Sequence, residues 1–208
     1  MTDRDLARRW IGALAATALF TLPASGAWAG TADPGRLPQT RAEPALGVTL
    51  NAQMLTLWRA ITSDDVALAR SVFFPETAYV KMKTGLLASP AGDFVDRLVG
   101  FYNLDLGAYH RLIAGGHARL VRVSDARADA AWIAPGACEN LVGYWHLPGV
   151  RLVYTRAGAT YSVAVFSLIS WHGVWYVVHL GPNPRPSDVG TVDGFTHGPG
   201  TPGPAGGC

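Results

Sequence analysis

Charge is scarce in this chain: 17 Lys+Arg and 15 Asp+Glu make up only 15% of 208 residues, against about 25% in an ordinary globular protein. The formal net charge is +2, and no basic run is longer than Arg8-Arg9, so the clustered cations of a nucleic-acid footprint are missing. Cysteine is limited to Cys138 and Cys208, which excludes a disulfide-dense scaffold or a cysteine-rich zinc module. The apolar run from Trp10 to Leu22 has 13 residues, short of the ~20 that span a bilayer, so no permanent membrane span is expected. There is no G-x-S-x-G elbow, no H-E-x-x-H, no P-loop and no G-x-G-x-x-G between a strand and a helix. The six histidines are scattered, His110 and His117 being the closest pair. No metal and no cofactor is therefore expected.

What the chain does have is 49% hydrophobic residues and 7 each of Trp, Tyr and Phe, enough for one substantial core and one domain. Its start has the layout of an export signal. Arg4, Arg8 and Arg9 precede the apolar run, and the small-residue site Ala27-Trp28-Ala29 follows Pro23 and Ser25. Residues 1–29 are read as a signal peptide cleaved after Ala29, placing the mature chain outside the cytoplasm, secreted or extracytoplasmic. Arg8-Arg9 ahead of Trp10 also fits a twin-arginine route. In an exported chain, two cysteines are most simply one disulfide, Cys138 to Cys208, worth roughly 4 kcal/mol in the chain-entropy model. An intermolecular bridge and a free terminal thiol are the alternatives. The pairing would tether residues 190–208, a Gly/Pro-rich tail that reads as irregular.

Residues 30–48, with Pro34, Gly35, Pro38 and Pro44 and no apolar period, read as a flexible leader, leaving 49–189 as a single α+β domain. Leu50, Met54, Leu57, Trp58 and Ile61 fall at helical spacing, with Thr49 available as a cap. Ser63-Asp64-Asp65 caps a second, short helix that Pro75 ends. Thr77 to Lys83 alternates and predicts a half-buried strand with Tyr79, Lys81 and Lys83 on its outer side. Ser89-Pro90 opens a longer helix with Phe94, Leu98, Phe101 or Tyr102, Tyr109 and Leu112 on its apolar side, and a break is expected near Asn103-Asp105. Six strand-like stretches follow between His117 and Leu180, separated by turn residues that include Pro148-Gly149. Helices first and strands later predicts N-terminal helices packed on a curved antiparallel sheet.

Chemistry-bearing residues are few. In strand geometry Tyr144 and His146 share one face, a candidate polar wall in which His146 could move a proton. His179 lies in an apolar last strand expected to be central, as a core histidine or a polar group in a cavity. Asp105 and Tyr109 share a helix face, making Asp105 a candidate base, orienter or acid, or a helix cap.

The order of elements and the closing hairpin Trp171-His172-Gly173-Val174-Trp175-Tyr176 resemble the cone-shaped fold of the nuclear-transport-factor-two-like superfamily, over residues 49 to 181. The stretch Cys138 to Pro148, with the same hairpin and the tail ending in Cys208, is similar to a group of exported bacterial proteins of unassigned function. The first resemblance implies a pocket in the hollow of the sheet that either takes a small apolar ligand or holds a carboxylate or histidine for isomerase and dehydratase chemistry, and a homodimer through the sheet. No catalytic position carries over from it. The function expected is a non-catalytic small-molecule-binding module whose pocket, between helices and sheet, is lined by Tyr79, Tyr144, His146 and His179. The alternatives are a cofactor-free pocket enzyme of isomerase, dehydratase or hydrolase type, with His146 or His179 as base and Asp105 beside it, and a cell-envelope interaction protein.

Overall fold

The computed structural model describes residues 32–204 apart from Gly116 and Ser187. The expected signal peptide and the expected partner of Cys138, Cys208, lie outside the described residues. The chain is α+β: helices come first, followed by an open, six-stranded antiparallel sheet. No described helix is long and apolar enough to cross a membrane.

Helix α1 (Val48–Ser63) buries Leu50, Met54, Leu57, Trp58 and Ile61 on the side that the sequence spacing marks. Its N-cap is Gly47, with no side-chain cap, so Thr49 does not play that role. Ser63 closes α1 and does not open the next helix. Asp64 turns the chain in the left-handed region, and Asp65 caps α2 (Val66–Arg70) by accepting from the Leu68 N–H at 2.9 Å.

Residues 77–83 correct the strand expectation, because they belong to helix α3 (Glu76–Lys83). Pro75 is its N-cap, Glu76 lies at its positive end, and Lys81 and Lys83 lie at its negative end. Ala78, Tyr79 and Met82 are buried, a helical stripe that a period of two conceals. Tyr79 and Lys83 therefore do not share an outer face with Lys81.

The next helix starts at Ser89, whose hydroxyl accepts from the Gly92 N–H, with Pro90 in the first turn. It runs as α4 (Pro90–Asp93), a π-helical stretch Phe94–Val99 and α5 (Gly100–Ile113). The expected break at Asn103-Asp105 is absent. Asp105 lies inside α5 and is buried beside Tyr102, Leu106 and Tyr109.

The strands are β1 (Arg119–Ser124), β2 (Ala131–Ile133), β3 (Tyr144–Arg156), β4 (Ala159–Trp171), β5 (Val174–His179) and β6 (Thr196–His197). The order is β1-β3-β4-β5, with β2 pairing β3 and β6 pairing β4. Pro148-Gly149 is not a turn, since β3 runs through it with Pro148 opposite Ser167 and Val150 opposite Val165. Gly149 has a φ of 55°, and a Cβ there would lie 2.8 Å from the Gly203 nitrogen. That close approach is what requires glycine.

β5 lies at the end of the strand order and is not central as expected. Its outer edge is nonetheless occupied: Phe74 N–H donates to the Val177 carbonyl at 2.9 Å and Val177 N–H to the Val72 carbonyl at 3.0 Å. Residues 72–74 therefore do the work of a neighbouring strand, leaving no open ladder on that stretch.

The segments expected to be loose are built in. Gln39 Nε2 donates to the Ser170 carbonyl at 2.9 Å, Trp171 Nε1 donates to Leu37, and Lys81 Nζ donates to Gly35 at 2.9 Å. This part of the leader is therefore domain and not a flexible lead-in. The tail is held as well: Gly190 and Thr191 lie against α5, and the residues after them run along the sheet. β6 pairs with Tyr161 and Ser162 of β4, and Gly203 N–H reaches the Gly149 carbonyl at 3.1 Å.

Candidate functional site

Between α3, the π-helical stretch and the face of the sheet lies a cavity of about 340 Å³. The size is that of small-ligand pockets. Its walls are contributed by β3, β4 and β5 on one side and α3, Asp93 and Arg97 on the other, with Ile133 of β2 and the short turn Ala137–Glu139 closing an end. Met82, Leu87, Leu98, Phe166, Ile169 and Val178 provide its apolar lining.

Tyr79, Tyr144, His146 and His179 all line this cavity. The pleat of β3 sends Tyr144 and His146 to the same side. The pairing of Ser167 with His179 brings β5 into register beside them. A ring nitrogen of His146 and the Ser167 hydroxyl share a hydrogen bond of 2.9 Å. Burial pushes His146 down from its ordinary pKa. His179 goes further, to about 4, through burial first and then through the positive charges of Arg97 and Arg185, with His146 and Lys83 adding to them. Both imidazoles are neutral at pH 7.

On the helix side Tyr79, Asp93 and Arg97 form a closed set. The Tyr79 hydroxyl donates to Asp93 and accepts from Arg97 Nη2 at 2.9 Å. Arg97 Nε and Nη2 donate to the two oxygens of Asp93 at 2.7 and 2.6 Å. These bonds hold the Asp93 carboxyl below its ordinary range and the guanidinium above its own. Burial, with Asp93 beside it, raises the Tyr79 phenol. Each member is used up by the other two, which makes the set a rigid wall with no net charge.

Sequence reasoning missed four participants. Lys83 was expected on an outer strand face, and the helix turns it to the cavity, where its ammonium donates to the Glu139 carbonyl at 2.7 Å. Asp93 and Arg97 are an i,i+4 pair whose spacing was legible, but only the fold shows what they face. Asn140 closes the end wall by donating to the Cys138 carbonyl at 2.8 Å and to the Tyr144 hydroxyl at 3.3 Å.

Asp105 is not among the residues that line the cavity. Its carboxylate accepts from the Gly181 and Thr191 N–H groups, each at 2.9 Å, and pairs with Arg185, whose guanidinium lies 4.2 Å from the centre of the Phe101 ring. Burial raises this carboxyl against the pull of its partners. It anchors the chain leaving β5 to α5, and neither His146 nor His179 has it as a partner. Among the described residues no cluster of three or more His, Cys, Asp or Glu could hold a metal ion. Compared with models of known families, with curated proteins and with solved structures, the chain finds no match in any of the three.

Proposed function

We propose that the protein is a small-molecule-binding module that holds its ligand in the cavity between α3, the π-helical stretch and the sheet without transforming it. The observation that carries this reading is the cavity itself, which combines an apolar lining with a few converging polar groups. The chemistry of those groups supports binding over catalysis. A general base works best with a pKa near the operating pH, and His179 at about 4 is a weak one. Of the two acidic residues that line the cavity, Asp93 is held by Arg97 and Tyr79 and Glu139 is exposed to water. A cone-like fold of the nuclear-transport-factor-two type and an extracytoplasmic site of action belong to the same proposal. The helix-then-sheet order supports the first, and the N-terminal sequence supports the second.

A cofactor-free pocket enzyme is the second reading, favoured by one contact, the His146–Ser167 hydrogen bond at the cavity wall. Hydrolysis of activated esters that is lost in Ser167→Ala would establish it over the first.

The first reading is tested by weighing the protein recovered from its own culture under native and then denaturing conditions. The expected result is a native mass exceeding the denatured one by a small molecule, and the same comparison without an excess for Ile169→Trp, which fills the cavity. Equal masses, together with a compound library in which nothing raises the melting temperature of the wild type above that of Ile169→Trp, would overturn it.

A further inference from the structure

Resting on that reading, we infer that the ligand is a small organic anion, a carboxylate or sulfonate head on an apolar body, and that Lys83 is the residue that selects its charge. The two cations facing the cavity from the helix side are not equivalent. Arg97 spends its charge on Asp93, with two hydrogen bonds between them shorter than 2.8 Å. Lys83 has no carboxylate within ion-pair distance among the described residues. Among the described residues its ammonium makes one hydrogen bond, to the neutral Glu139 carbonyl, and an ammonium has three N–H groups to give.

The surroundings compensate for it only in part: Glu139 and Asp93 favour the charge, but burial, with Arg97 beside it, outweighs them. Lys83 is half-buried, and burial lowers its pKa, so its charge is poorly hydrated. Of those two carboxylates, Glu139 is exposed to water and Asp93 is already paired with Arg97. Its other neighbour is the Tyr79 ring, whose centre lies 5.9 Å from Nζ. Across the cavity His146 and His179 are neutral and bring no negative charge. The Tyr144 hydroxyl accepts from Asn140, which leaves its own proton for another acceptor. A cation held half out of water gains most from an anion that comes with its own apolar cover, and Met82, Leu98, Ile169 and Val178 supply the matching surface. A neutral apolar molecule would fill the same volume and leave the ammonium without an ion-pair partner among the described residues.

A matched pair of fluorescent probes separates the two cases: anilinonaphthalene sulfonate, and phenylnaphthylamine, which has the same rings without the sulfonate. The expected result is that the sulfonate probe binds the wild type roughly tenfold more tightly. Lys83→Met should remove that preference while leaving the neutral probe unchanged, and Lys83→Arg should keep it. Two cavity-filling variants from different strands, Ile169→Trp and Val178→Phe, each checked for folding by circular dichroism, should weaken both probes. Equal affinity for the two probes in the wild type, or a preference that survives Lys83→Met, overturns the assignment of charge and leaves the binding module standing. Affinities untouched by either filling variant overturn the binding-module reading itself.

Discussion

The depressed pKa of His179 makes a quantitative demand on stability. The group falls from an ordinary 6.5 to about 4 in the fold. Between those values the unfolded chain takes up a proton that the folded chain refuses, so the contribution of His179 is complete above about pH 7 and is lost as pH falls. Linkage gives a loss of about 2 kcal/mol between pH 7 and pH 5, reaching about 3 kcal/mol by pH 4. His146, also lowered, works in the same direction, whereas the raised carboxyls of Asp105 and Asp193 work in the opposite one. The quantity to follow is therefore the difference between the wild type and His179→Gln, with every other group held in common. Urea denaturation at a series of pH values supplies it. The wild type should lose its advantage over the variant by roughly 1 M in midpoint on going from pH 7 to pH 5. A difference that stays flat over that window, or an NMR titration placing the His179 ring near its ordinary value, would refute the burial argument and with it the neutral wall of the cavity.

Other outcomes follow from features outside the histidine pair. Asp105 and Arg185 are each 3% exposed, so Arg185→Met strands a buried carboxylate and should cost about 3–5 kcal/mol. The double replacement Asp105→Leu with Arg185→Met should be less destabilising than that single one in chemical denaturation, and a cost equal to or greater than the single one would show that the ion pair is not what matters there. Gly149→Ala places a methyl against Gly203, so it should cost about 1–3 kcal/mol and speed amide exchange at Thr196, His197 and Gly203. Wild-type exchange at those three amides would show that the tail does not depend on this approach. If Cys138 and Cys208 are bridged within one chain, the denatured, unreduced protein weighs two hydrogens less than its sequence and takes up no alkylating reagent. Two alkylated thiols per chain would sink the bridge.

The order of elements was legible because it rests on long periodic stretches such as Leu50 to Ile61 and Ala159 to Ser170. α3 was not, because seven residues that alternate as Ala78, Val80 and Met82 also carry a helical pattern in Ala78, Tyr79 and Met82. The signals that decide between them lie at the ends: Pro75 and Glu76 at the start, Lys81 and Lys83 at the finish. That one misreading also hid Lys83 from the cavity. Pro148-Gly149 misled in the other direction, since a turn dipeptide was used to bring the tail close to a continuous strand. Tyr144 and His146 could be placed on one face because a strand's period of two is strict. Asp105 could not be assigned, since its partners at Gly181, Arg185 and Thr191 lie 76 to 86 residues away. No local pattern reports such a distance.

The Gln39 side chain bonds to carbonyls 104 and 131 residues further along the chain. Contacts of that span are expensive to close and form late, so this topology belongs to the slow-folding class. A polypeptide that takes its time stays pliable for longer after synthesis. Were such a chain exported unfolded, the knitting of distant segments would prolong the interval in which it can still be threaded through a narrow passage, whereas a route that carries folded proteins would draw nothing from that delay.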